Sequence, residues 1–133
     1  MSVPPVPDEE SAFYWDGLRE HRVVVQRCTT CHAHRFPPMP SCPVCGAIGA
    51  DKIEVPGQGS VYSWVRVHRA FNEALAAEVP YSIAVVELDE GCRIVARIEQ
   101  PDAPSPGERV TAMFADHGDW TELRFRPAPS EGP

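Results

Sequence analysis

No apolar run in this 133-residue chain approaches the roughly twenty residues that a membrane-spanning helix needs, so no span is expected. The start, Met1-Ser-Val-Pro-Pro-Val-Pro7, has neither a basic stretch nor an apolar core. It does not read as a secretory signal, and a cytoplasmic location is expected. Basic residues are scarce: 12 Lys and Arg stand against 19 Asp and Glu, a formal net charge of -7. Affinity for nucleic acid comes mainly from neutralised phosphates, so that class of partner is disfavoured. Gly-x-Ser-x-Gly, a phosphate-binding loop and His-Glu-x-x-His are all missing, and the chain is not expected to be an enzyme on its own. Long helices are disfavoured too, because the 15 prolines are about twice the average share.

What is present is organised around Cys28-Thr-Thr-Cys31 and Cys42-Pro-Val-Cys45-Gly46, two Cys-x-x-Cys pairs ten residues apart. Each pair can form a tight turn whose backbone N–H groups point at sulfur. Two such turns facing each other make a tetrahedral four-thiolate cage, which suits zinc, with iron the rarer occupant. Pro43 and Gly46 fit the second turn; in the first, His32 stands where glycine would be easier. The alternatives are two disulfides, which need an oxidising compartment, or His32 or His34 replacing a cysteine as ligand. A closed cage leaves no open position for substrate, so its role is structural. The fifth cysteine, Cys92, follows a hairpin glycine and reads as a buried, inert thiol.

Residues 1–7 form a proline-rich tail and 8–20 a short helix, with Asp8 as N-cap and Glu9 and Glu10 in its first turn. Phe13, Tyr14 and Trp15 give it an aromatic face, to be packed on the chain itself or docked on a partner. Val23–Val25, His34–Phe36 and Ile53–Val55 are the ribbon strands, so residues 8–56 make one unit. Arg19, Arg22, Arg27 and Arg35 surround it, either as a solvated face balancing the cage or as a phosphate receiver.

Pro56-Gly-Gln-Gly59 has a linker's composition, and period-two alternation begins after it. Strands are expected at 60–68, 81–88, 92–99, 108–115 and 120–126. Ile94, Ala96 and Ile98 oppose Arg93, Val95 and Arg97, while Leu123 and Phe125 oppose Glu122, Arg124 and Arg126. Asp89-Glu-Gly91 reads as a three-residue hairpin, and 69–79 as a long, partly helical connection. Asp116-His117-Gly-Asp119 offers acid and base groups but has a turn's composition. Five short antiparallel strands over residues 57–126 suggest an OB-type barrel, and 127–133 a tail. The expected fold is therefore mainly β: a short N-terminal helix and zinc ribbon, then a five-stranded OB-fold barrel.

The order of these pieces resembles one family. Phe13-Tyr-Trp15 precedes Val25-Gln-Arg-Cys28-x-x-Cys31; then come Phe36-Pro-Pro38, Cys42-Pro-x-Cys45-Gly46, Gly57-x-Gly59-x-Val61-Tyr-Ser63, Pro80-Tyr81, Val86-Glu-Leu88 and Phe125-x-Pro127. This combination is similar to the zinc-ribbon plus OB-fold proteins first catalogued as domain of unknown function number thirty-five. The sequence departs from their pattern at Met39, where an arginine is expected, and at His32. The resemblance implies a rubredoxin-like ribbon and a non-catalytic subunit of a hetero-oligomer with a thiolase-like, retro-aldolase or hydratase acyl-CoA enzyme. It further implies a CoA thioester near the interface and a link to lipid or steroid side-chain degradation. Only Cys28, Cys31, Cys42 and Cys45 carry over as functional positions. Arg66, His68 and Arg69, at the mouth of the long connection, are candidates for CoA phosphates or a partner's acidic edge. Two other readings stand beside this one: a stand-alone acyl-CoA binder, and a single-strand nucleic-acid binder stacking bases on Tyr62, Trp64 and Tyr81.

Overall fold

The computed structural model describes residues 4–70, 73–100 and 102–128. Its first element is α1, Ala12–Arg19. The expected start at Asp8 is four residues early. Asp8 and Ser11 instead close a turn on each other, Ser11 N donating to Asp8 Oδ1 and Asp8 N to Ser11 Oγ, and Ser11 occupies the N-cap position. The helix ends in a Schellman motif: His21 N donates to the Leu18 carbonyl and Arg22 N to that of Gly17. His21 takes the left-handed conformation there, at φ 60°, where glycine is the usual choice.

A three-stranded antiparallel sheet follows, in the order β2-β1-β3, with β1 Val23–Cys28, β2 His34–Arg35 and β3 Ala50–Val55. The ribbon strands β1 and β3 are longer than the apolar triplets that announce them. Pairing carries β1 up to Cys28 itself, opposite Ala50, so the sheet runs directly into the first metal turn.

The second half is a closed barrel. Its strands are β4 Gln58–Val67, β5 Tyr81–Leu88, β6 Arg93–Ile98, β7 Arg109–Asp116 and β8 Thr121–Pro127, in the order β4-β5-β6-β8-β7, with β4 closing on β7. All five expected strands are present, but the expected antiparallel pairing fails at one seam: β6 and β8 run parallel, because β7 lies between them in the chain and pairs antiparallel with β8. The alternation decides their faces: Ile94, Ala96, Ile98, Leu123 and Phe125 are buried and Arg93 and Val95 exposed. Gly91 (φ 106°) turns the β5–β6 hairpin, and Leu88 N donates to the Cys92 carbonyl across it. In the long connection, Glu73–Leu75 is a short 3-10 helix; residues 71 and 72 lie outside the described set. Pro127 closes β8 rather than opening a tail, and Ala128 N still donates to Arg109 O. The tail residues 1–3 and 129–133 lie outside the described residues.

The expected linker is two residues, Pro56 and Gly57. Gly57 has φ 75°, its carbonyl accepts from Ala112 N, and an added Cβ would stand 2.6 Å from that of Ala112. Only glycine fits this crossing from ribbon to barrel. Burial continues through it. Tyr14 and Leu18 of α1 and Val23, Val25 and Val55 of the ribbon share one apolar cluster with Val86, Ile94, Val110 and Phe125 of the barrel. No helix among the described residues is long and apolar enough to cross a membrane.

Candidate metal centre

The Cys28–Cys31 turn leaves β1 and returns through β2. Cys28 N donates to Ala33 O, His32 N donates to Cys28 O, and His32 takes φ 66°. That is the left-handed position at which a glycine would be easier. The second turn repeats the pattern, Cys42 N donating to Ala47 O and Gly46 N to Cys42 O, with Gly46 at φ 80°. The two turns face each other. The four sulfurs lie within 4.8 Å of one another, with Cys28–Cys45 and Cys31–Cys42 each at 3.6 Å. A tetrahedron with metal–sulfur bonds of about 2.3 Å has edges of about 3.8 Å, so the cage fits zinc. All five cysteines are unpaired by disulfides.

Electrostatics support a cation there. The Cys28 thiol is pulled down to about 6, first by the backbone N–H of Cys31 and then by that of Thr30. Cys42 is lowered as well, by the N–H of Cys45 and, against some burial, that of Val44. Cys31 goes the other way, to about 12: the Ala33 N–H favours its thiolate, but burial and the neighbouring sulfurs outweigh it. Sulfurs this close cannot all carry charge without a cation among them. Cys28, Cys31, Cys42 and Cys45 are therefore the residues that would hold a structural metal.

The other candidate residues go to different places. Tyr14 is 7 % exposed, its ring 5.0 Å from Phe36, and burial pushes its phenol up, so it belongs to the interior rather than to a docking face. Trp15 stands edge-on to Trp120, and Lys52 Nζ lies over the Phe13 ring. Arg66 donates to buried Ser82 Oγ and lines a cleft of about 420 Å³ with Tyr81, Arg97 and Gln100. His68 and Arg69 are exposed nearby, on the chain leaving β4. The structure thus gathers Arg66 into a cleft but not its two companions. Cys92 is buried and raised to about 11 by that burial, as an inert thiol should be. Of the three aromatics considered for stacking, Tyr62 lies under Arg93 and Tyr81 under Arg97.

Two features were not read from the sequence. Arg35, counted there among a surface cluster, is interior at 3 % exposure. No signal in the sequence marked it: it is the β1–β2 register that sets Arg35 against Gln26, whose Oε1 accepts from its Nε. The second is a polar clasp over the turn joining β7 to β8. His21 Nε2 lies 3.0 Å from both oxygens of Asp116 and stacks on Phe114; His117 bonds Glu122 at 2.9 Å.

Comparison with known proteins agrees with this architecture. A family model described as ChsH2, rubredoxin-like zinc ribbon domain, matches residues 15–47, and one described as ChsH2, C-terminal OB-fold domain, matches 52–115. The chain is 39% identical to the probable enoyl-CoA hydratase alpha subunit of Thermomonospora curvata, over 93% of this chain and 39% of that one. It is 31% identical to the 3-oxo-4,17-pregnadiene-20-carboxyl-CoA hydratase alpha subunit of Mycobacterium tuberculosis, over 92% and 39%. The chain thus spans about two fifths of these two subunits (39% of each). A DUF35 domain-containing scaffold protein of Methanocaldococcus jannaschii is 33% identical over 75% of this chain and 73% of its own. Among solved structures, the Ltp2-ChsH2(DUF35) aldolase superposes with a TM-score of 0.83 at 36% identity, covering 95% of this chain and 100% of that one.

Proposed function

This chain belongs to the DUF35 family of paired zinc-ribbon and OB-fold domains, and on that basis we propose that it is a non-catalytic, zinc-binding accessory subunit of a thiolase-like acyl-CoA enzyme. The observation that carries this reading is the full-length similarity, at 36% identity, to the chain of an Ltp2-ChsH2(DUF35) aldolase. The relatives named as hydratase alpha subunits widen the partner class to hydratases, and one of them acts on a pregnadiene carboxyl-CoA. Steroid or other lipid side chains are the substrates this reading favours.

The site's chemistry supports a structural role. Bound zinc would cross-link the two turns, and four cysteines leave it no position for substrate. What the chain's own residues do is hold the two turns on β1 and β3 and seat that ribbon on the barrel. The ribbon with Phe13 and Trp15 would dock the enzyme. The barrel, with Arg66, His68 and Arg69 near the cleft, would help enclose the CoA thioester and meet its phosphates. Reconstitution tests this. The thiolase-type or hydratase-type enzyme should form a stoichiometric complex with the chain and lose most of its turnover without it. An enzyme that assembles and turns over equally well alone would refute the proposal. Arg66→Glu should raise the complex's KM for the CoA thioester while leaving assembly intact.

A further inference from the structure

We propose that Arg35 is the internal counter-charge of the metal cage. Among the described residues it is the one charged side chain in the interior. Its acceptors are neutral: Gln26 Oε1, 3.2 Å from Nε, and the Ile48 carbonyl, 3.4 Å from Nη2. Nη1 has no acceptor, and no carboxylate among the described residues pairs with it. A guanidinium buried this way is strongly destabilising unless opposite charge lies close by.

Arg35 pairs in register with Gln26, two residues before Cys28, and reaches Ile48, three residues after Cys45. It therefore bridges the strand entering the first metal turn and the chain leaving the second. The local charge agrees. From Arg22 to Val55 there are four basic side chains, Arg22, Arg27, Arg35 and Lys52, and two acidic ones, Asp51 and Glu54. Arg22 pairs with Glu54, and Arg27 stands opposite Asp51 in the β1–β3 register. Glu20, just before this stretch, also pairs with Arg22, while Lys52 and Arg35 have no carboxylate in an ion pair among the described residues. Four thiolates around a divalent cation carry a charge of about -2. Of those two cations, Lys52 is exposed and Arg35 is the one inside the low-dielectric interior, where Coulomb attraction is strongest. Its charge would offset that of the loaded cage and so favour retention of the metal.

The test separates charge from bracing. Arg35→Gln keeps an amide donor and loses the charge; Arg35→Lys keeps the charge and loses the two-sided hydrogen bonding. Zinc-loaded, full-length protein is challenged with a colorimetric chelator and the release rate followed. Arg35→Gln should release zinc at least about 10-fold faster than wild type and Arg35→Lys within about 3-fold, a partner outside the ligand set being worth about 10–100-fold in affinity. Equal release from the two variants overturns the proposal. Should Arg35→Gln fail to fold, Arg35→Lys decides: release within about 3-fold of wild type supports the counter-charge, and faster release overturns it.

Discussion

Replacing Cys42 with serine should empty the cage and unfold the metal turns while leaving the base of the ribbon in place. Outer partners of a metal site are worth about 10–100-fold in affinity, so losing one of four ligands should exceed about 100-fold. In isolated finger peptides metal binding is worth about 10–16 kcal/mol, all of it folding free energy. Here that figure is an upper bound, because part of the ribbon is held without metal. Val23, Val25 and Val55 sit in the same apolar cluster as the barrel strands. Residues 29–33 and 36–49, by contrast, have only short turns between the cysteines. A bound metal would tie Cys28 to Cys45, 17 residues further on, and closing a loop of about that length is worth about 3 kcal/mol by chain entropy. Hydrogen exchange read by mass spectrometry should therefore show protection lost over 28–49 by a free energy of that order. Protection at Val23–Val25 and in β5 and β6 should persist, and elemental analysis should find no bound zinc. One equivalent of zinc retained in the variant would refute the ligand assignment. Simultaneous loss of protection in β5 and β6 would refute the division between metal-held turns and core-held base.

Gly57→Ala should destabilise by about 2–5 kcal/mol, about 1–2 for the left-handed backbone and 1–3 for the forced contact with Ala112, read as a lower urea midpoint. Phe125→Ala removes the largest fully buried side chain among the described residues and should cost about 3–5 kcal/mol in the same assay. The Glu122 carboxyl sits below its ordinary 4.5: burial raises it, but Arg124 and His117 pull it down further. Its contribution is therefore present above pH 4.5 and lost as pH falls through the folded value. Glu122→Gln should cost about 1–3 kcal/mol at pH 7 and flatten the stability profile in acid.

Much of the barrel was legible because a half-buried strand writes its faces into the sequence with period two, as Arg93–Ile98 does. The cage was legible because two close Cys-x-x-Cys turns have few other uses. Interior polar residues were not. Arg35 looks like its solvated neighbours until β2 is placed on β1 and its side chain is enclosed against Gln26 and Ile48. Tyr14 and Trp15 adjoin in an aromatic run, yet the helix turns one toward Phe36 and the other toward Trp120. The four-residue error at the helix start has a local cause: Asp8 caps a turn with Ser11, and Asp in that position serves a turn as readily as a helix. His21 and Asp116 lie 95 residues apart, and only tertiary folding brings them together.

The central claim is tested most directly by co-expressing the tagged chain with the thiolase-type and hydratase-type acyl-CoA enzymes of its source organism, then measuring mass by light scattering. A single species containing the chain and one of those enzymes in fixed ratio is predicted, with one zinc per chain. A monomeric chain that elutes apart from every such enzyme would contradict the account.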